Sequence, residues 1–328
     1  MAVVRRPNKH QRLKRLLEVG FFPQELPPPF VSFDLARYRT HLLSVWPAND
    51  LKIFASQPEY YSIPRFGRAR RRLSIINPIN HLKVSKLMAD EWQEIRKFLR
   101  QSKVSEFKPI FDLIGPRAFF GLDFESIERR LVQILSTYRS SLKTDISRYY
   151  HTIYTHSIPW ALYGKTYCKA NLNTPAFKQS FGDRLDVAVR QCQQNQTMGV
   201  PVGPETSRII GEIIGVGIEK LLAQTLRNFA ERAFRYVDDI NIGFDERDSV
   251  DVILSSITRA FAQFELDINI DKTVVQGVGE TLSPEWLSPL RQFRISGNAG
   301  QQDLEHLFQK RSILRRKQSQ RSCPRLCA

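Results

Sequence analysis

Phe234-Arg235-Tyr236-Val237-Asp238-Asp239-Ile240-Asn241-Ile242-Gly243-Phe244 is the stretch on which the reading of this chain turns. Apolar and polar residues alternate on both sides of the acidic pair, the period-two pattern of two strands. The aspartates therefore fall where one strand turns into the next. Adjacent carboxylates at a hairpin tip repel each other. A hard divalent cation resolves the conflict, because Mg²⁺ takes one or two carboxylates together with the phosphate oxygens of a substrate. A solvated Asp-Asp turn is the plain alternative for this segment by itself.

A second stretch, Ser141-Leu142-Lys143-Thr144-Asp145-Ile146-Ser147-Arg148-Tyr149-Tyr150, reads as a short strand ending near Asp145. A helix start follows, with Ser147 as its cap. A strand placed beside the hairpin would bring Asp145 to Asp238 and Asp239 at one sheet edge. Such a carboxylate triad can hold two metal ions ~4 Å apart for in-line phosphoryl transfer. One ion would activate an attacking 3′-hydroxyl and the other would neutralise the leaving pyrophosphate. Taken alone, Asp145 could equally cap a helix.

These stretches resemble reverse transcriptases. Tyr236-Val237-Asp238-Asp239 is similar to their third palm motif, and Asp145 to Tyr150 is similar to their first. A finer resemblance is to the bacterial reverse-transcriptase-like polymerases of abortive-infection and phage-defence systems. It is carried by Gly20-Phe21-Phe22-Pro23-Gln24-Glu25-Leu26-Pro27-Pro28-Pro29-Phe30, by Ile153-Tyr154-Thr155-His156-Ser157-Ile158-Pro159-Trp160, and by Gly199-Val200-Pro201-Val202-Gly203-Pro204-Glu205-Thr206-Ser207-Arg208. Pro284-Glu285-Trp286 and Leu290-Arg291-Gln292-Phe293 are similar to the same relatives.

The resemblance implies an α+β right-hand polymerase of fingers and palm, the palm built on a ferredoxin-like antiparallel sheet. Residues 1–60 would form an N-terminal extension with a Pro-rich segment, and 61–144 mainly fingers. Residues 145–293 would form the palm with a fingers insertion, and 294–328 a basic C-terminal tail. Relatives continue with a long helical region, so the thumb is expected to be incomplete and the terminus to be truncated or frameshifted.

The same resemblance assigns residues. Asp145, Asp238 and Asp239 become catalytic ligands of two Mg²⁺ or Mn²⁺ ions, with Asp145 and Asp238 the direct ones. Lys272, in Leu266-Asp267-Ile268-Asn269-Ile270-Asp271-Lys272-Thr273, matches the fourth palm motif and would orient or protonate pyrophosphate. A solvent-facing lysine in a turn fits that position equally. Arg70, Arg72, Ile146, Tyr150 and Gly203 would bind the nucleotide. Tyr150 matches the aromatic under the incoming sugar, where a ring excludes a 2′-hydroxyl and favours dNTPs; packing behind the helix start would suit it too, as it would Tyr149. Glycine and proline in Gly199 to Pro204 would allow a close, stiff approach of backbone to a base. Many reverse transcriptases have glutamine before the second glycine. Val202 stands there instead, which speaks against ordinary templated copying.

The charge balance points to a polyanion. Lys and Arg total 49 against 33 Asp and Glu, a net charge of +16, and such proteins are usually held near nucleic acid. Arg65, Arg68, Arg70, Arg71 and Arg72 crowd one segment similar to the fingers motif, and guanidinium groups suit bidentate phosphate contacts. Arg70 and Arg72 share one strand face. The expected partners are dNTPs and single-stranded DNA or RNA, with no membrane partner; a homo-oligomer stays open. No apolar stretch is long enough to span a bilayer, because Arg208, Glu212, Glu219 and Lys220 interrupt the longest one. Cys168, Cys192, Cys323 and Cys327 lack metal-ligand spacing and read as free thiols of a cytoplasmic protein. His156 reads as a packing or hydrogen-bonding residue.

Helices are expected at His10 to Val19, Leu82 to Arg100, Phe124 to Leu135, Thr206 to Leu222 and Val250 to Phe264. Leu26 to Phe30 is expected to be extended. The leading expectation is a DNA polymerase of the reverse-transcriptase type serving phage defence, adding dNTPs to a 3′-hydroxyl or protein hydroxyl. The alternatives are a template-copying enzyme of retron or group II intron type, and a non-catalytic nucleic-acid-binding scaffold. An RNA-dependent RNA polymerase fits less well, since such enzymes commonly carry glycine at the position of Val237.

Overall fold

The computed structural model describes residues 7–46, 53–64, 70–120, 124–245 and 249–279. Expectations placed on Arg65, Arg68, Cys323, Cys327, Pro284 to Trp286, Leu290 to Phe293 and the basic tail lie outside these residues. Helix α1 (Lys9–Glu18) begins at Asn8. The Asn8 side chain accepts the Gln11 N–H and the Gln11 side chain accepts the Asn8 N–H, both at 2.9 Å, which satisfies two orphan donors reciprocally. The helix ends at Glu18 with Val19 as its C-cap, and Gly20 follows where a Cβ would lie 2.8 Å from the Leu16 carbonyl oxygen.

The Pro-rich stretch departs from its expectation. It folds into two turns, with Leu26 N–H donating to Pro23 O at 3.2 Å and Phe30 N–H to Pro27 O at 3.0 Å. Proline's fixed φ suits the second position of a turn as well as an extended chain, and Pro28 occupies that position in the second turn.

Strands β1 (Glu59–Pro64) and β2 (Arg70–Ile75) pair as an antiparallel hairpin. Two helices, α2 (Pro78–Asp90) and α3 (Trp92–Leu99), replace the single helix expected over Leu82 to Arg100. The backbone leaves helical geometry at Glu91 (φ −91°, ψ 17°), which lets Trp92, Ile95, Phe98 and Leu99 bury their own stripe. Then follow α4 (Phe124–Leu135), β3 (Ser140–Thr144), α5 (Tyr149–Thr152), α6 (Ser157–Tyr163) and α7 (Phe181–Gln191). The chain continues through α8 (Glu205–Thr225), β4 (Ala233–Tyr236), β5 (Asp239–Phe244), α9 (Val250–Gln263) and β6 (Val274–Gly277).

The sheet order is β4-β5-β3-β6, with β5 antiparallel to both neighbours. With α8 before β4 and α9 before β6, this is a split βαββαβ unit in the ferredoxin-like order, carrying a helical insertion after β3. β5 is buried along nearly its whole length, so both of its faces are covered. Helix α8 is buried almost all round from Glu205 to Glu219, as expected of a core helix.

The core joins α1 to the sheet: Leu16, Met88, Trp92, Leu142, Ile213, Ile242 and Phe261 belong to one buried cluster. The N-terminal segment also reaches the Gly199 to Pro204 loop. Glu205 N–H donates to Gly20 O at 2.9 Å, and Gly203, at φ +137°, lies so close to Pro23 that a Cβ would fall 2.3 Å from its ring. Only glycine tolerates both that φ and that contact. The chain divides into two compact units, Met1–Val275 and Gln276–Ala328.

A Cβ on Gly217 of α8 would meet Phe264 at 2.7 Å and the Ala161 side chain of α6 at 2.9 Å. Alanine is normally worth ~1 kcal/mol over glycine inside a helix, whereas overpacking a core costs ~1–3 kcal/mol. Gly217→Ala is therefore expected to lose about 1–2 kcal/mol and several degrees of melting temperature. A melting temperature at or above the parent's would show that the seam between α6 and α8 has room to spare.

Candidate active site

Strand register brings the three aspartates to one end of the sheet. β3 pairs Thr144 with Ile240, so the next step along both strands sets Asp145 level with Asp239. Tyr236 pairs with Asp239, which leaves Val237 and Asp238 as a two-residue loop. Asp145 is buried, while Asp238 and Asp239 are partly buried. The segment carrying Lys272 is bonded to the Asp145 segment: Asn269 N–H donates to Asp145 O at 2.8 Å and Ser147 N–H to Asp267 O at 2.9 Å, with Ile146 bridging to Ile268. This pairing is why the Lys272 ammonium reaches and donates to the Asp145 Oδ2.

Charge crowding is evident in the carboxyls. Burial, then Asp145 and Asp239, push Asp238 up to about 6. Burial also raises Asp239, with Lys143 opposing and Asp145 adding to the rise. The hydrogen bond to Asp145 raises Lys272.

The donor type fits divalent-cation chemistry: strand register sets three residues with hard carboxylate oxygens at one end of the sheet. Their arrangement is not that of a closed cage. Among the described residues, no three carboxylate, histidine or cysteine side chains converge as a group that could hold a metal ion. Asp145 is instead paired with Lys272.

The expected nucleotide residues take varied places. Ile146 is buried beside Asp145. Tyr150 is half-buried at the start of α5, its ring 5.3 Å from that of Tyr149. Burial and the nearby Glu212 and Asp238 carboxylates hold its phenol strongly protonated. Tyr149 turns inward and donates its hydroxyl to Gly211 O at 2.7 Å. Gly211 has no Cβ to crowd either ring; one would lie 3.2–3.3 Å from both. Ser147 does not cap α5: Arg148, in the left-handed region at φ 50°, takes the N-cap position with no side-chain bond. The helix begins one residue later than the sequence suggests, so Ser147 lies one position before the cap.

Arg70 is tied across the hairpin, its Nε donating to Ser62 Oγ at 2.6 Å and its Nη2 to Ser62 O at 2.7 Å. Arg72 stacks over the Tyr60 ring at 4.3 Å. Val202 is buried, and its backbone pairs with β2 through Ser74 N–H donating to its carbonyl at 2.8 Å. His156 takes a polar packing role, its Nδ1 standing 2.6 Å from Asp186 Oδ2.

Sequence reasoning overlooked two groups. His151 and Arg148 lie near the already noted Arg71 and Arg72, and after burial itself Arg72, Arg148 and Arg71 lower that imidazole's proton affinity. Behind the hairpin, Arg235 is buried against Glu212 and Glu219 of α8. The i, i+7 spacing of those glutamates on an otherwise apolar helix is the signal that could have disclosed the second group.

The raised Asp238 value has a signed consequence. A carboxyl that binds its proton more tightly when folded stabilises the fold at low pH and loses that contribution as pH rises through about 4 to 6. Asp238→Asn removes the charge, so in chelator it should melt higher than the parent above pH 6, by on the order of 2 kcal/mol. The advantage should vanish near pH 4. Thermal melts across this range decide it, and an equal difference at both ends would rule out charge crowding at Asp238.

No curated protein matches the chain. Residues 70–289 match the family described as reverse transcriptase (RNA-dependent DNA polymerase). That span covers two thirds of the sequence and includes β2, the three aspartates and Lys272. The chain belongs to the reverse transcriptase family.

Proposed function

We propose that this chain is a nucleotidyltransferase of the reverse-transcriptase type that joins dNTPs to a 3′-hydroxyl or a protein hydroxyl. The observation that carries the reading is the placement of Asp145, Asp238 and Asp239 at one sheet end, with Asp238 raised by burial and then by its two neighbours, in a member of this family. Asp145, Asp238 and Asp239 would hold two Mg²⁺ or Mn²⁺ ions, which when bound neutralise phosphate charge and make a hydroxyl a better nucleophile. Lys272 would leave Asp145 and hold a proton at Nζ for the departing pyrophosphate. Arg70 and Arg72, with Arg71 and Arg148, would grip phosphates. Tyr150 would exclude a 2′-hydroxyl, while Ile146 and Gly203 shape the pocket around base and sugar.

Val202 supports a product whose sequence follows nucleotide preference, because its buried apolar side chain offers no polar contact to a nascent base pair. The family description itself favours the second reading, a template-copying enzyme of retron or group II intron type. The likeness to defence polymerases supports a role against phage, testable by plating efficiency on cells expressing the parent or Asp238→Asn.

Incorporation assays with and without added RNA, followed by sequencing of the product, separate the two readings. Product of biased composition without template supports the first, and tens of nucleotides complementary to the RNA support the second. Asp238→Asn should reduce incorporation to background in either case; parental rates would place the active site elsewhere. Tyr150→Ala should raise rNTP use relative to dNTP use by roughly 10-fold or more, the scale of steric discrimination in a pocket. An unchanged ratio in a folded, active variant would remove Tyr150 from the sugar.

A further inference from the structure

The loop that presents Asp238 is strained. Val237 sits at φ 57°, while its loop partner Asp238 is not among the residues with positive φ. A two-residue hairpin loop with only its first residue left-handed has the type II′ pattern, and glycine is the residue that normally fills it. A β-branched residue there is a true outlier, costing roughly 1–3 kcal/mol, and it persists only where its surroundings hold it.

The holding group is Arg235, two residues upstream on β4. Its side chain is 2% exposed. Nη1 donates to the Val237 carbonyl at 2.8 Å, across the loop from its own strand. The remaining donors are fixed from below by α8. Nη1 and Nη2 donate to Glu212 at 3.1 and 2.9 Å, and Nε donates to Glu219 Oε1 at 2.5 Å. Ser105 Oγ holds Glu212 Oε2 at 2.9 Å. Gly215, between the two glutamates on the same helix face, makes the slot: a Cβ there would lie 2.5 Å from Nη1 and 2.6 Å from the central carbon. The guanidinium therefore lies directly on the helix backbone and points one donor at the loop.

We propose that Arg235 is a positioning residue of the active centre, which holds Val237 in its left-handed conformation and so fixes the direction in which Asp238 leaves the turn. The assignment rests on the reading of Asp238 as a metal ligand. Removing one buried partner of such a group is costly to the fold, so stability alone cannot test it. The planar fork matters as well as the charge, and lysine cannot reproduce it.

Mn²⁺ binding by the nucleotide-free full chain, followed by electron paramagnetic resonance, is the measurement, with melting temperature recorded for each variant. Arg235→Lys keeps the charge and loses the fork, and should weaken Mn²⁺ binding about 10-fold, the lower end of what orienting partners of metal ligands contribute. Gly215→Ala leaves every charge in place, favours helix, and crowds the guanidinium; it should weaken binding in the same direction and decides the matter if Arg235→Lys fails to fold. Val237→Gly should restore most of the lost affinity in whichever background folds, because glycine adopts the left-handed loop without help. Parental affinity in a folded Arg235→Lys or Gly215→Ala protein overturns the proposal. So does a loss that Val237→Gly leaves untouched, since a merely structural arginine would not be rescued at the loop. Asp238→Asn is the control: if it keeps parental Mn²⁺ affinity, the metal reading falls and this inference falls with it. If it loses binding while the arginine variants do not, only the inference fails.

Discussion

Mutual repulsion among three carboxylates at one sheet end is the constraint around which this molecule is organised. Left to side-chain preference, Asp145, Asp238 and Asp239 would point apart into water. The register of β3 on β5 and the tight loop between β4 and β5 deny them that. Opposing charge is supplied from two neighbouring segments. Lys272 comes in on the segment bonded to the Asp145 strand, and Lys143 faces Asp239 from β3 itself. Both cations sit on exposed positions, so they can yield to a stronger one. The buried acidic pair on α8 is satisfied separately by Arg235, whose proton is secured against burial by Glu212 and Glu219.

Much of this was legible because it is periodic. Alternation about Asp238-Asp239 and the approach to Asp145 are local signals, and the strands form where those patterns lie. The boundaries of α4 and α9 likewise follow from apolar spacing. Legibility failed where the deciding partner is distant in sequence. Ser147 looks like a cap, but its segment pairs with the one around Asp267 and the helix starts only at Tyr149. Proline in Leu26 to Phe30 is compatible with turn or extension, and the chain chose turns. The break at Glu91 is set by how Trp92 packs against Phe111 and Phe119, with ring centroids 4.7 and 5.7 Å away, and nothing local encodes it. In the site, residue types identified the aspartates. The spacing of Glu212 and Glu219 marks a polar stripe on an apolar helix, but their partner is not local; only the fold shows that they face Arg235.

In the proposed function, Lys272 would belong to two states of one chemistry. Its bond to Asp145 neutralises a buried carboxylate, which stabilises the folded chain without any ligand. The same short tether keeps it within reach of the end of the sheet where the other aspartates lie. A flexible stem of four carbons suits both positions better than a rigid guanidinium would.

The contact between Gly203 and Pro23 has an evolutionary meaning. Family likeness begins at residue 70, yet the wall behind the Gly199 to Pro204 loop is built from residues 20 to 23, and Leu16 sits in the same core as Leu142 and Ile242 of the central sheet. The recognisable polymerase is thus not a module that could be cut out and grafted elsewhere. Its N-terminal segment and the Gly199 to Pro204 loop must change together: a side chain at position 203 would demand a different residue at position 23, so the two segments should drift as one unit through descent although 180 residues separate them.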